Sequence, residues 1–332
     1  MLKVGIVGLG KMGILHAGIV SALDGISLSG LCETEGIIRR MAEKLIPNVP
    51  IYGEVSEMVA KQNLDAVMIA APIHLHVEII RTLLEKGSTA IFTEKPLASN
   101  LRDAVEAAKA AAGRKVVTMV GYQKRFSPLF QHAKFLLEKQ AIGDVQFFKA
   151  YSYISDVFRQ GSGWRFKKGS GGTLIELGPH LLDLLLWYFG GVSKVSAKQL
   201  SLYSNEVEDY VHAGIEFESG TFGAVDVSWS MRNYRLPEIC IEIQGTNGVL
   251  KVSDDYVQVS ADREVRGVVE AGKHKFQKPS FKTNVEFLLG EPEFTVEDRA
   301  FLSAVAEKRP TEPNFQDAVK VNELIDRIRE AA

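Results

Sequence analysis

The sequence predicts an α/β chain in two parts, a doubly wound parallel sheet followed by an α+β domain with a mainly antiparallel sheet. Three observations predict it. Over the first 122 residues, short unbroken apolar runs alternate with helical patterns, as when helices cover both faces of a parallel sheet. Beyond Tyr122 several strands alternate apolar with polar or small residues, the mark of a sheet with one face on a core. At 332 residues the chain is also too long for one average core. The expected domains are 1–122 and 123–332, with the last helices, about 295–330, packing back on the first domain.

The elements follow in order. Leu2–Val7 reads as a strand, Met12–Leu23 as a helix, Ile26–Cys32 as a strand and Ile37–Leu45 as a helix. Pro47 and Pro50 break the chain before a short strand at Ile51. Glu54–Lys61 reads as a helix, Ala66–Ala70 as a buried strand and His74–Glu85 as a helix stopped by Gly87. A strand at Ala90–Thr93, a helix at Leu101–Ala112 and a strand at Val116–Val120 complete the first part. In the second part Pro128–Lys139 is helical and Val145–Ile154 is a long strand. Five glycines crowd residues 161–172, and an apolar helix, Leu177–Phe189, ends at Gly190-Gly191. Alternating strands then run through Val211–Phe217, Gly223–Trp229 and Ile239–Ile243. Their second face carries Glu216, Glu218, Asp226, Glu242 and Gln244, suited to solvent or to a wet subunit interface. Helices at Val296–Glu307 and Asp317–Ile328 close the chain.

Composition removes whole function classes. A net charge of −2 leaves no basic footprint for nucleic acid. The most apolar stretches, Ala66–Ile73 and Leu181–Phe189, are too short to span a bilayer. Cys32 and Cys240 sit in strand-like runs and read as reduced core residues, and no leader pattern precedes Leu2, so a cytoplasmic chain is expected.

The chemistry begins at Gly8-Leu9-Gly10-Lys11-Met12-Gly13, a G-x-G-x-x-G turn between a strand and a helix. In that context the first glycine makes the turn, the second admits a pyrophosphate and the third packs helix on strand. The helix N-terminus offers free N–H groups and the positive end of its dipole to the phosphates. Gly8, Gly10, Lys11, Met12 and Gly13 are therefore cofactor-binding candidates, and the cofactor is a dinucleotide. Glu33, 20 residues past Gly13, is placed to bond the adenosine ribose and to repel a 2′-phosphate, which favours NAD over NADP; alternatively it is a surface acid. Arg39 and Arg40 either accept a 2′-phosphate or form a solvated helix face, so NADP stays open. The loop Ala71-Pro72-Ile73-His74-Leu75-His76 follows a parallel strand, where ligands of open α/β sheets bind. Ala71, Pro72 and His76 are candidates to line the cofactor, and His74 and His76 either touch it or cap the next helix.

Glu94-Lys95-Pro96 ends another such strand. Pro96 fixes its own φ and biases Lys95 toward extended backbone, holding it where its charge could steady a developing alkoxide. Glu176, His180 and Asp183 lie at i, i+4 and i+7 on one helix face. His180 suits a general base, with Glu176 orienting its ring. The same spacing suits a buried histidine satisfied by a carboxylate, or a divalent metal, though no Cys–His cluster supports a structural zinc site. Tyr122, Arg125, Trp164 and Arg165 suit recognition of a sugar or phosphate, and Arg125 equally suits a carboxylate partner at the domain boundary.

Taken together the chain resembles the Gfo/Idh/MocA oxidoreductases over nearly its whole length. The resemblance rests on the glycine turn with His16, the loop Pro72–His76, Glu94-Lys95-Pro96 and Val120-Gly121-Tyr122 with Arg125-Phe126. It rests also on Trp164-Arg165 and on Gly171-Gly172 leading to His180 and Asp183. It implies a Rossmann domain, then an α+β domain with a large open antiparallel sheet that commonly forms dimers or tetramers. It further implies hydride transfer between NAD(P) and a sugar, inositol or related polyol, with Lys95 and His180 matching the family's catalytic lysine and histidine. Lys95, Glu94, Tyr122, Arg125, Trp164, Arg165, His180 and Asp183 are the expected cofactor and substrate contacts of this site, at the crevice between the domains. The sequence departs from the family where Glu176 replaces a usual aspartate and Ile73 replaces a usual polar residue. Two other readings remain: a non-catalytic NAD(P)- and sugar-binding sensor, disfavoured by the presence of Lys95 and His180, and a glycosidase using NAD as a transient oxidant.

Overall fold

The computed structural model describes residues 1–282 and 285–332. Two compact units are present, Met1–Gln123 with Asn284–Asn322, and Lys124–Thr283 with Glu323–Ala332. Along the chain come β1 (Leu2–Val7), α1 (Lys11–Ala22), β2 (Ile26–Cys32), α2 (Gly36–Leu45), β3 (Ile51–Tyr52), α3 (Val55–Lys61), β4 (Ala66–Ile69), α4 (His76–Glu85), β5 (Ala90–Glu94), α5 (Leu101–Ala112) and β6 (Val117–Gly121). Then follow α6 (Pro128–Glu138), β7 (Val145–Tyr153), α7 (Thr173–Glu176), α8 (Gly178–Phe189), β8 (Val192–Leu200), β9 (Tyr210–Phe217), β10 (Phe222–Ser228), β11 (Glu238–Gly245), β12 (Gly248–Ser253), β13 (Tyr256–Ala261), β14 (Gly272–Gln277), α9 (Pro292–Glu307) and α10 (Phe315–Glu330).

In the first unit the sheet order is β3-β2-β1-β4-β5-β6, with every pairing parallel. This is the doubly wound order, whose reversal point lies between β1 and β4. All four residues of β4 and the first four of β5 are buried, which explains their unbroken apolar sequences. α9 returns late in the chain to pack beside α1 and β6. α4 begins two residues later than the pattern suggested. Pro72 holds extended backbone, its carbonyl accepts from the Leu75 N–H, and a single tight turn precedes the helix.

The second unit holds an eight-stranded sheet in the order β14-β13-β12-β11-β7-β10-β9-β8. The β7–β10 pairing is parallel and the others are antiparallel. Val211, Ala213, Ile215 and Phe217 are buried on the inner face of β9, while His212 and Glu216 alternate outward. α6, α7 and α8 pack on this sheet. The helix expected over Leu177–Phe189 begins at Gly178, with the separate turn α7 before it. Pro179, lacking an N–H, fits the first turn of α8. Strands β8, β12, β13 and β14 were not expected from the sequence; the edge strands β8 and β14 are each rich in lysine, with Lys194 and Lys198 on one and Lys273 and Lys275 on the other. Lysines on a sheet edge discourage pairing with another chain. Among the described residues, no helix is long and apolar enough to cross a membrane. Cys32 and Cys240 are buried free thiols, and burial pushes the Cys32 pKa up to about 12.

Candidate active site

In the first unit the glycine turn joins β1 to α1. Gly8 has φ +90°, and a Cβ there would lie 2.8 Å from the Ala70 carbonyl. A Cβ on Gly13 would meet the Gly8 carbonyl oxygen at 1.8 Å, so helix and turn touch through bare backbone. Gly10 differs, because its missing side chain faces open space. It is the N-cap of α1, and no side chain caps that helix end. The turn therefore fits a pyrophosphate, with room above Gly10 and backbone donors at the start of α1.

Glu33 closes the turn from the end of β2. One carboxylate oxygen accepts the Leu9 N–H at 2.8 Å and the other the Glu35 N–H at 2.9 Å. Each oxygen keeps a second acceptor site, and Glu33 is 8% exposed, which suits a ribose hydroxyl. Across the sheet, Ala71 is half-buried and Pro72 exposed in the loop after β4. His76 is buried, with Nε2 2.8 Å from the Ala71 carbonyl and Nδ1 3.0 Å from the Pro96 carbonyl. The ring thus ties the β4 loop to the β5 loop rather than facing outward.

Lys95 stands just past β5, half-buried, and its N–H donates to Glu94 Oε2 at 3.2 Å. Glu94 Oε1 lies 3.0 Å from His16 Nε2 on α1. Gly121, paired with Glu94 across β5 and β6, leaves room for that carboxylate: a Cβ there would be 3.3 Å from it and 3.1 Å from the Phe92 ring. Tyr122, next in sequence, is fully buried.

In the second unit His180 lies in the first turn of α8 and is half-buried, and Glu176 ends α7 four residues earlier. Arg165 holds Glu176: its Nε donates to Glu176 Oε2 at 2.6 Å, while Nη2 donates to Asp156 at 2.6 Å. The guanidinium also lies 5.5 Å from the ring centre of Trp229. Burial alone would lower the Arg165 pKa, but the two carboxylates raise it. Arg125 and Asp183 form a two-pronged pair at 2.8 and 2.7 Å, with Asp183 fully buried and Arg125 stacked 5.6 Å from Trp187. Trp164 is half-buried in the turn ahead of Arg165. Behind this cluster, Asp209 accepts from the N–H groups of Leu202, Tyr203 and Ser204, the Ser204 hydroxyl and Trp229 Nε1. That network fixes Trp229, on which Arg165 rests.

Sequence reasoning did not assign roles to Asp156, Asp209 and Asp298, nor to Gly121 as a spacer. A glycine opposite the Glu94-Lys95 strand end was the single signal available; Asp298 reaches His16 across 282 residues, while Asp156 and Asp209 meet their partners through irregular loops that no periodic spacing marks.

The comparisons agree with this architecture. Residues 2–122 match the profile of the oxidoreductase family with an NAD-binding Rossmann fold, and residues 130–251 match the GFO/IDH/MocA C-terminal domain. D-apiose dehydrogenase of Paraburkholderia graminis is 29% identical over 260 residues, 76% of this chain and 68% of that protein. scyllo-Inositol 2-dehydrogenase (NAD(+)) of Bacillus subtilis is 28% identical over 257 residues, 74% of this chain and 72% of that protein. The solved levoglucosan dehydrogenase in complex with NADH and levoglucosan superposes with a TM-score of 0.87 at 25% identity, covering 100% of this chain and 97% of that one. With both halves matched in the family's own order, this chain belongs to the Gfo/Idh/MocA family of NAD-binding oxidoreductases.

Proposed function

We propose that this protein is an NAD-dependent dehydrogenase of a sugar, an inositol or a related polyol. The observation that carries the reading is Lys95, fixed through Glu94 at the C-terminal end of β5 in the same unit as the glycine turn. Ligands of an open α/β sheet bind at such strand ends. NAD, when bound, supplies the hydride acceptor, and Gly8 to Gly13 with Glu33 are the residues to hold it. Lys95 bonds the reacting hydroxyl, and its charge steadies the oxygen as the proton leaves. His180 takes that proton as general base. Glu176 supplies negative charge one helical turn before His180, and Arg165 fixes where that charge sits. The longer side chain in the family's aspartate position is thus tethered. The Arg125–Asp183 pair and Trp164 shape the substrate side. The relatives named as dehydrogenases of apiose, scyllo-inositol and levoglucosan support the substrate class.

The test is absorbance at the reduced-nicotinamide band with inositols, aldoses, apiose and levoglucosan. Turnover that survives in both Lys95→Ala and His180→Ala would remove these roles. We propose further that the outer face of the eight-stranded sheet pairs with a second copy. Phe147 and Phe222 stand exposed on it, 39% and 58% respectively, beside the stacked rings of Tyr151 and Tyr153. Light scattering should report a dimer or tetramer, and Phe222→Asp should dissociate it.

A further inference from the structure

His16 is fully buried on α1, the helix that opens at the glycine turn. Its Nδ1 lies 2.9 Å from both oxygens of Asp298, on α9, and its Nε2 lies 3.0 Å from Glu94 Oε1. A neutral imidazole has one N–H and one bare lone pair, so with Asp298 and Glu94 both ionised only the doubly protonated ring can donate to both; burial pushes the Asp298 pKa up, and the charge and hydrogen bond of His16 oppose it. Glu94 passes this grip to the next residue, because its second oxygen accepts the Lys95 N–H. The other side of Lys95 is gripped as well. The Pro96 carbonyl meets His76 Nδ1, and the same ring reaches the Ala71 carbonyl with Nε2. Phe92 packs edge-on against His16 at 5.2 Å, closing the pocket.

We propose that His16 and His76 are positioning residues that clamp Glu94-Lys95-Pro96 from both ends, His16 doing so as an imidazolium between two carboxylates, so that the Lys95 ammonium is presented at a fixed place beside the cofactor turn. The inference rests on the reading of Lys95 as the residue that bonds the reacting hydroxyl. Three further facts fit it. Burial disfavours a charged His16, yet Asp298 and Glu94 outweigh burial and raise its pKa well above the ordinary value. Burial likewise pushes Glu94 up, but the hydrogen bond and charge of His16 bring it below the usual carboxylate value. Burial lowers the His76 pKa, while its hydrogen bonds to the Ala71 and Pro96 carbonyls oppose that shift.

The experiment follows Lys95 directly. Lysines are reductively dimethylated with a ¹³C label, and the Lys95 signal is identified by its loss in Lys95→Arg. Its titration is compared in wild type, His16→Gln and His76→Gln, together with NADH affinity by fluorescence, thermal unfolding, and kcat and KM for the best sugar or polyol substrate. The clamp predicts that His16→Gln shifts the Lys95 titration to higher pH, because a nearby cation is lost. It predicts that kcat falls about 10- to 100-fold while KM and NADH affinity change little, since a misplacement near 1 Å can cost about that much. A His16→Gln protein that merely melts earlier, with Lys95 titration and kcat unchanged, overturns the proposal. Histidine-selective ¹⁵N spectra of wild type give an arm that needs no substitution at position 16: both His16 nitrogens should carry protons across neutral pH, and a neutral His16 at pH 7 also overturns it. Full turnover in Lys95→Ala, with both His16 nitrogens still protonated, would instead fell the assignment of Lys95 to the chemistry and leave the clamp standing.

Discussion

Alanine at Gly10 and alanine at Gly13 should separate what the ligand needs from what the fold needs. A Cβ on Gly10 meets no atom of the protein within 4 Å, and its backbone, at φ −70° and ψ −170°, suits any residue. Removing glycine stiffens the unfolded chain and stabilises by about 0.4–1 kcal/mol. Alanine is a poorer N-cap than glycine by a similar amount. The two effects nearly cancel, so the Tm of the free protein should move by about 2 °C or less. NADH should suffer, because the new methyl stands where the pyrophosphate approaches. An overpacking cost of about 1–3 kcal/mol weakens binding by about tenfold to hundredfold. Gly13→Ala should behave otherwise. Its Cβ would sit 1.8 Å from the Gly8 carbonyl oxygen, a backbone atom, so turn and helix must part before any ligand arrives. Free-protein Tm and NADH affinity should then fall together. Fluorescence titration with NADH and thermal unfolding without it measure both. A Gly10→Ala protein that binds NADH as tightly as wild type refutes the placement of the phosphates.

Three other substitutions probe the surroundings. Glu33→Gln removes the charge that repels a 2′-phosphate and should move the NADPH-to-NADH affinity ratio about tenfold toward NADPH; it also weakens one of the two bonds to Leu9 and Glu35, so NADH affinity should drop as well. Gly121→Ala presses a methyl to 3.3 Å from the Glu94 carboxylate, and kcat should fall more than thermal stability does. Asp209→Asn should cost about 1.5–3 kcal/mol in urea unfolding at neutral pH, as charged acceptors lose strength. Burial raises the Asp209 pKa, but its hydrogen bonds from Ser204, Tyr203 and Trp229 lower it overall. The stabilisation is therefore present above the unfolded value of about 3.9 and lost as pH falls through the folded pKa, so the gap between wild type and variant should close in acid. A gap that stays constant down to the folded pKa and below would deny Asp209 its charged role.

Much of the first unit was legible because its signals are local. The glycine turn, Glu33 at the end of β2 and Glu94-Lys95-Pro96 at the end of β5 each announce themselves within a few residues. His180 and Glu176 were read as neighbours on one helix face, whereas the structure puts Glu176 at the end of α7 and His180 on α8; the tie between Glu176 and Arg165 was not legible, since it depends on how the glycine-rich segment 161–172 folds back. His76 shows the same boundary. Its place in a loop after β4 was readable, whereas one of the two carbonyls it faces, that of Pro96, lies 20 residues further on in a separate loop. The edge strands β8 and β14 hid because their lysines dilute the alternation that marks the inner strands. Tertiary partners chosen across long chain separations leave no periodic trace.

The bond from His16 to Asp298 spans 282 residues. A ribosome adding about 5–20 residues per second would finish β6 roughly 10–35 seconds before Asp298 is made. Throughout that interval β1 to β6 have been made and α9 has not, so Glu94 is the one carboxylate partner of His16 yet synthesised. The first unit thus waits for α9 until the whole eight-stranded sheet has been synthesised. Loss of the segment that carries α9 should therefore harm the nucleotide-binding half more than the half that adjoins it in sequence, and proteins arrested during synthesis before Asp298 should depend most on chaperones.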